Sequence, residues 1–301
     1  MLAPWLEVRG LAEQLGRLSE ASGTDLLTHG TTSDADTIRD TAIAQPLIVA
    51  TTLLSAHAVG PALAVSAGVL AGHSVGEFAA AALAGVLTED EALALVAARG
   101  ALMARAAAAT PTGMSAVLGG DPDEVLATLE ALGLTAANVN GGGQVVAAGD
   151  LDGLAALAAN PPSRARVIPL QVAGAFHTRY MLEAREQLAA HAAALSPHAP
   201  IVPLLANRDG AAVSTGSEAL AALVAQVANP VRWDLCQEMF AAIGVTGMLE
   251  LAPGGVLTGL ARRTLPGVQT VALKTPDDLD AARALVARHS DEAPDTQEQH
   301  A

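Results

Sequence analysis

The stretch Gly72-His73-Ser74-Val75-Gly76-Glu77-Phe78 has the residue types and spacing for nucleophilic chemistry. An apolar run of strand length, Ala64 to Ala71, precedes it, and Ala79 to Leu83, strong helix formers, follow it. A strand, a Gly-x-Ser-x-Gly and a helix together are the sequence form of a nucleophile elbow. Gly72 and Gly76 lack a Cβ, so strand and helix are expected to approach closely around a strained Ser74. The first amides of the helix then point to where an oxyanion would form. A serine hydroxyl needs a base at neutral pH. Of the eight histidines, His73 adjoins Ser74, but neighbours at a sharp turn point apart. His29, His57, His191 and His198 have no marked chemistry nearby, and His289 and His300 lie close to the C-terminus. His177, in Gly174-Ala175-Phe176-His177-Thr178, follows an expected strand directly and sits among small residues that could admit an imidazole to a cleft. Position alone leaves open whether it is the base or an ordinary turn residue. Arg99 is similar. A lone Arg on an Ala-rich helix usually snorkels to solvent. Flanked by Val96, Ala97, Ala98, Gly100 and Leu102, it could instead face a pocket and bind a carboxylate bidentately.

These residues need a scaffold, and the chain suggests one. Residues 1–30 read as a helix running into a turn, and Gln45-Pro46 sits near the start of a second helix, Leu47 to Val59. After the elbow, Thr88-Glu89-Asp90-Glu91 is a capping box that opens the helix carrying Arg99. Beyond Thr110-Pro111-Thr112-Gly113 the pattern changes to strand, helix, two short strands joined by Gly141-Gly142-Gly143, helix and strand. That βαββαβ order is a ferredoxin-like unit inserted between apparent site residues. Ile201 to Ala206 and Met248 to Leu251 read as buried strands, with helices over Ser217 to Val227, Asn229 to Ile243 and from Val256, and Gln269 to Leu273 as the last strand. Alternating strands and helices predict a mostly parallel α/β sheet. The expected domains are 1–112 with 174–289, a ferredoxin-like subdomain over 113–173, and a disordered polar tail over 290–301.

Composition narrows the partners. The net charge of −15 is wrong for nucleic acid, which requires a basic footprint. No uninterrupted apolar run reaches about 18 residues, so no membrane span is expected. The first residues lack the basic and apolar regions of a signal peptide. A single cysteine, Cys236, allows no internal disulfide and fits a reducing cytoplasm.

Taken together, Gly72-His73-Ser74-Val75-Gly76-Glu77, an Arg 25 residues later and Gly-Ala-Phe-His after the insertion resemble the malonyl-CoA:acyl carrier protein transacylases, of the acyltransferase domain family. Gln226, Asn229-Pro230-Val231-Arg232-Trp233 and Gly254-Gly255-Val256-Leu257-Thr258-Gly259-Leu260 strengthen the likeness, which spans essentially residues 1–275. The resemblance implies an α/β-hydrolase-like large domain with an inserted ferredoxin-like subdomain. It implies Ser74 as nucleophile, His177 as general base, the Gln226 backbone carbonyl as the group orienting His177, and the Val75 amide as an oxyanion donor. Arg99 would bind the malonyl carboxylate, and Phe176, before His177, would bear on acyl choice in favour of malonyl. The implied reaction is malonyl transfer from malonyl-CoA to the phosphopantetheine thiol of acyl carrier protein in fatty acid biosynthesis. It involves no metal and no resident cofactor, and the expected setting is a monomer in the cytoplasm. Because carrier proteins are acidic, docking would need a basic patch, for which Arg164, Arg166, Arg179, Arg262 and Arg263 are candidates.

The chain departs from the family pattern in one place. The family opens with a buried strand and a Pro-Gly-Gln-Gly-Ser-Gln loop whose Gln supplies the second oxyanion amide, and Met1 to Trp5 correspond to the segment just after that loop. Either the reading frame starts at an internal Met or this is a short, impaired paralogue; the intact remaining motifs favour the first. The chain as it stands is expected to fold poorly and transfer slowly, since losing one oxyanion donor costs roughly 10²–10³ in kcat. Two rival functions remain. A serine esterase or thioesterase would place a triad acid between serine and histidine and the histidine near the C-terminus, and a carrier-binding module would form no serine ester.

Overall fold

The computed structural model describes residues 1–290, so all but Ser290 of the expected tail lies outside the described residues. The N-terminal region is divided more finely than a single helix. A 3-10 turn, Ala3–Glu7, leads to α1 (Leu11–Ser22) and α2 (Leu26–Thr31), separated by Gly23 in the left-handed conformation. Helix α3 (Thr41–Val59) starts earlier than Gln45-Pro46 suggests, because Asp40 caps it by accepting from the Ala42 N–H at 2.9 Å. A short α4 (Ala62–Ser66), the elbow, α5 (Gly76–Leu83) and α6 (Glu89–Ala109) follow. The Thr88 capping box is present, with both reciprocal bonds made.

The inserted unit is β1 (Thr112–Gly119), α7 (Pro122–Ala131), β2 (Thr135–Gly141), β3 (Gln144–Asp150), α8 (Leu151–Ala159) and β4 (Ala165–Pro169). Its strands run antiparallel in the order β4-β1-β3-β2, with α7 and α8 packed over one face through Val125, Leu129, Leu154 and Leu157. The remaining elements are α9 (Leu182–Ala192), α10 (Gly216–Gln226), β5 (Val231–Arg232), α11 (Trp233–Ala242), β6 (Gly247–Glu250), α12 (Val256–Thr264), β7 (Gln269–Ala272) and α13 (Leu279–Ser290). Strand β5 joins the subdomain sheet in parallel beside β2 and ties the two regions together. Outside that sheet the pairing among the described residues is parallel between β6 and β7 and at the bridge Leu70 to Leu204, and antiparallel at the bridge Leu205 to Ala212. The fold is α/β, as expected.

Two expected strands shrink to their bridging residues. Ala64 to Ala71 begins as helix α4, started by Pro61 and the helix formers after it, and only Leu70 pairs. Ile201 to Ala206 pairs only at Leu204 and Leu205, and Ile201 is 79% exposed. The main core lies around α3, whose Leu47, Leu53 and Leu54 pack with Leu11, Leu15 and Leu18 of α1, Phe78 of α5 and Leu93 and Val96 of α6. Helices α3 and α6 are long and apolar enough to cross a membrane, although the sequence has no uninterrupted run of that length. Their apolar windows are 67% and 50% buried inside the protein, as central core helices are.

Candidate active site

The elbow builds the site's first member. Ser74 has φ 52°, a left-handed conformation that non-glycine residues rarely adopt. The strain is held from both sides by one side chain. Asn207 Oδ1 accepts from the Ser74 N–H at 2.7 Å, and its Nδ2 donates to the Gly72 carbonyl at 2.7 Å. The close approach expected at both glycines occurs at one of them. A Cβ on Gly72 would lie 2.0 Å from the Gly76 carbonyl carbon, whereas one on Gly76 would meet nothing within 4 Å. The Val75 N–H, at the start of α5, donates to no backbone carbonyl among the described residues, which suits an oxyanion donor.

The second member arrives from the turn after β4. His177 also has a positive φ, 62°. Gly174 packs where a Cβ would come within 2.6 Å of Ala107, the Ala175 N–H donates to Thr112 Oγ1 at 2.9 Å, and Thr178 Oγ1 donates to the Ala175 carbonyl at 2.6 Å. So fixed, the imidazole places Nε2 2.7 Å from Ser74 Oγ and Nδ1 2.8 Å from the Gln226 carbonyl. A carbonyl can only accept, so Nδ1 carries the proton and Nε2 is free to take one from Ser74. Burial pushes the His177 pKa down to about 3, with Arg99 acting in the same direction, so the ring is neutral at physiological pH. His73, by contrast, points away from Oγ; its Nε2 pairs with Asn140 Oδ1 at 2.8 Å and its ring meets Trp233 edge-on.

Arg99 is the third member. It is 1% exposed and lies on α6, which Gly100 brings against the start of α3: a Cβ there would come within 2.8 Å of the Thr41 carbonyl oxygen. Its Nη1 donates to Gln45 Oε1 at 2.5 Å, and its Nη2 to Gln226 Oε1 at 2.8 Å and to Ser74 Oγ at 3.3 Å. Phe78 lies beneath the guanidinium at 5.5 Å. Its Nε has no partner, and among the described residues no carboxylate lies within 4 Å of the group. Burial lowers the Arg99 pKa to about 10, which leaves it charged.

Ser74, His177, Arg99, Val75 and Gln226 therefore converge. Phe176 stands one residue away and packs against Met114, Ala137, Val146 and Ala148 on the subdomain's inner face. Three residues that sequence reasoning left without a role join them: Gln45, Asn207 and Glu77. Glu77 lies in the motif itself; Gln45 and Asn207 border a helix and an apolar run and carry no spacing signal. Among the described residues no group of three or more His, Cys, Asp or Glu is placed to hold a metal ion. The candidate docking arginines separate. Arg166 pairs across from Leu118, Leu118 from Gln144, and Gln144 Oε1 accepts from Arg263 Nη2 at 3.3 Å, so these and the neighbouring Arg164 gather at one end of the sheet, with Arg262 next to Arg263 on α12. Arg179 stacks on Tyr180, whose hydroxyl reaches Asp150 at the opposite end of β3.

An α/β fold that aims a neutral histidine at an elbow serine, with a buried cation beside it, is that of a serine-nucleophile acyl-transfer enzyme. The acyl transferase domain model matches residues 11–286, and the chain belongs to that family. It is 52% identical to the malonyl CoA-acyl carrier protein transacylase of Mycobacterium bovis over 283 residues, 93% of each chain. It is 36% identical to that of Salmonella typhimurium over 219 residues, 71% of each. The crystal structure of MCAT from Mycobacterium tuberculosis superposes with a TM-score of 0.90 at 49% identity, over 94% of each chain. A malonyl-transacylase solved in complex with a type II polyketide acyl carrier protein superposes at 0.84 and 28% identity, also over 94% of each.

Proposed function

We propose that this chain moves a malonyl group from malonyl-CoA to the phosphopantetheine thiol of an acyl carrier protein, the malonyl-loading step of fatty acid biosynthesis, through an ester on Ser74. The observation that carries the acyl choice is Arg99. A buried guanidinium with no carboxylate within 4 Å among the described residues, 3.3 Å from the nucleophile, is costly unless an anionic group completes it during turnover. The free carboxylate of a malonyl group is such an anion, and an acetyl group has none.

His177 Nε2 takes the Ser74 proton as Oγ bonds to the thioester carbonyl carbon. The electron pair released to the carbonyl oxygen is stabilised by the Val75 amide. When the pair returns, the carbon–sulfur bond breaks and the sulfur receives the proton from His177, leaving coenzyme A as the free thiol. The carrier thiol then gives its proton to His177, attacks the ester carbonyl, and expels Ser74 Oγ, which recovers the proton. Gln226 keeps the imidazole in the required tautomer throughout. The end of the subdomain sheet that bears Arg164, Arg166, Arg262 and Arg263 is the face offered to the acidic carrier, and all four are exposed. Transfer between two thiols requires no electron carrier and no resident cofactor. Nucleophile, base and cation come from one chain, which suits a monomer, and the single, buried Cys236 suits a reducing cytoplasm.

The arrangement at Nδ1 speaks against an esterase, since His177 is backed by the Gln226 carbonyl and not by a triad acid. The test is incubation with radiolabelled malonyl-CoA, followed by carrier protein. Label on Ser74 that moves to the carrier is expected. Release of free malonate faster than transfer would restore the hydrolase reading, and an unlabelled Ser74 would leave a binding module.

A further inference from the structure

Glu77 is 4% exposed, and its side-chain hydrogen bonds go to Asn207 and Gln226 of the site. An acid in the first turn of a helix ordinarily interacts with the helix dipole at the surface. This one accepts from the Asn207 backbone N–H at 2.5 Å and from Gln226 Nε2. It forms no ion pair within 4 Å among the described residues.

Gln226 is the point where this matters. Its side-chain amide has two orientations of nearly the same shape, and its neighbours choose between them. The nitrogen end meets acceptors: the Glu77 carboxyl, the Ser74 carbonyl at 3.0 Å and Asn207 Oδ1 at 3.2 Å. The oxygen end meets a donor, Arg99 Nη2, at 2.8 Å. Turning the amide over would set an NH₂ against a guanidinium. We propose that Glu77 is a positioning residue for the acyl carboxylate: it sets the orientation of the Gln226 amide, whose oxygen in turn aims Arg99 at the acyl group. The inference rests on Arg99 receiving that carboxylate.

The spacer has a purpose. A carboxylate directly on Arg99 would occupy the guanidinium edge the substrate needs. Interposing one amide lets the acid act on the guanidinium through Gln226 and leaves Nε unpaired for the ligand. Burial pushes the Glu77 carboxyl up to about 8, while Asn207, Gln226 and Arg99 pull it down. The relay works in either protonation state, because both carboxyl oxygens can accept, a hydroxyl oxygen through its lone pairs included. A glutamine at 77 is different: one of its two ends is an NH₂, which must face either the Asn207 N–H or Gln226 Nε2, donor against donor.

The experiment measures single-turnover acylation of Ser74 by malonyl-CoA and by acetyl-CoA in Glu77→Gln, Gln226→Met and the double variant. The backbone carbonyl that orients His177 survives in all three. The malonyl-over-acetyl ratio should fall on the order of tenfold in Glu77→Gln, mostly through malonyl-CoA affinity, as expected for loss of a charge-assisted contact. Gln226→Met should lower it at least as much, and the double variant no further than Gln226→Met alone. Equal loss with both acyl groups, or multiplying losses in the double variant, overturns the relay. Should Glu77→Gln fail to fold, an unchanged ratio in Gln226→Met overturns it as well. An unmodified protein with no preference for malonyl would instead refute the reading of Arg99.

Discussion

The two halves of this molecule are held together differently. In the inserted subdomain, strands β1, β3 and β2 form antiparallel ladders between segments near in sequence, that of β2 with β3 shifting register twice, with its own apolar cluster beneath α7 and α8. In the surrounding region the sheet hydrogen bonds are few and distant, such as the Leu70–Leu204 bridge, and packing of helices α1, α3 and α6 supplies most of the order. The chemistry sits in the second kind of structure. Ser74, Arg99, His177, Asn207 and Gln226 come from five separate stretches of chain and meet through side-chain hydrogen bonds. The subdomain contributes a frame: it delivers the chain to His177 and presents a rim of arginines. Local ladders give rigidity cheaply, but a site that must hold a strained serine, a neutral base and an unpaired cation needs groups that no single hairpin could bring together.

That contrast can be broken by substitutions on either side of it. The largest effect is expected at His177→Ala, which should slow Ser74 acylation by roughly 10⁴–10⁶, the range seen when a serine enzyme loses its base. Urea unfolding would check that the fold survives; a fall of less than about tenfold would remove His177 from the mechanism. Next is Arg99→Ala. Leaving a buried carboxylate without its partner costs about 3–5 kcal/mol, so malonyl acylation should drop roughly 10²–10⁴ while acetyl acylation changes far less. Equal loss with both acyl-CoAs would show a structural role only.

In the subdomain the same kind of change should act on stability. Leu157→Ala, in the cluster under α8, should cost about 2–5 kcal/mol of unfolding free energy and leave the acylation rate of the folded protein unchanged. A slower rate per folded molecule would mean that the frame and site are coupled. The pH profile gives a smaller but sharper test. His177 is held down at about 3, so it becomes protonated, and useless as a base, only well below its ordinary 6.5. Acylation should therefore stay level between about pH 8 and pH 5, and a limb falling below pH 6.5 would show an ordinary, solvated imidazole. The smallest expected effect is Arg263→Ala. As an exposed charge worth about 0.2–1 kcal/mol, it should raise the carrier KM a few-fold at low salt and leave Ser74 acylation untouched.

Much of this was legible in advance. The elbow, the capping box at Thr88 and the βαββαβ order rest on neighbouring residues, and local rules reach them. The apolar runs at Ala64 to Ala71 and Ile201 to Ala206 misled, because an apolar run becomes a strand only where another strand is available along its length. The first run pairs only at Leu70 and the second only at Leu204 and Leu205, and the first half of the former became helix instead.

By itself the sequence determined which serine could attack, which helix carries the cation, and where the inserted unit starts its first strand; these come from spacing, capping and glycine placement. Only the tertiary structure decided that Asn207 clamps the elbow, that Gln45 and Gln226 cradle Arg99, and that Glu77 stands behind Gln226. Those four are amides and an acid of ordinary type, and although Glu77 lies in the motif, no local rule marks what their side chains will touch. Their roles come from burial, which makes each unmatched donor or acceptor expensive and so forces distant polar groups into one network.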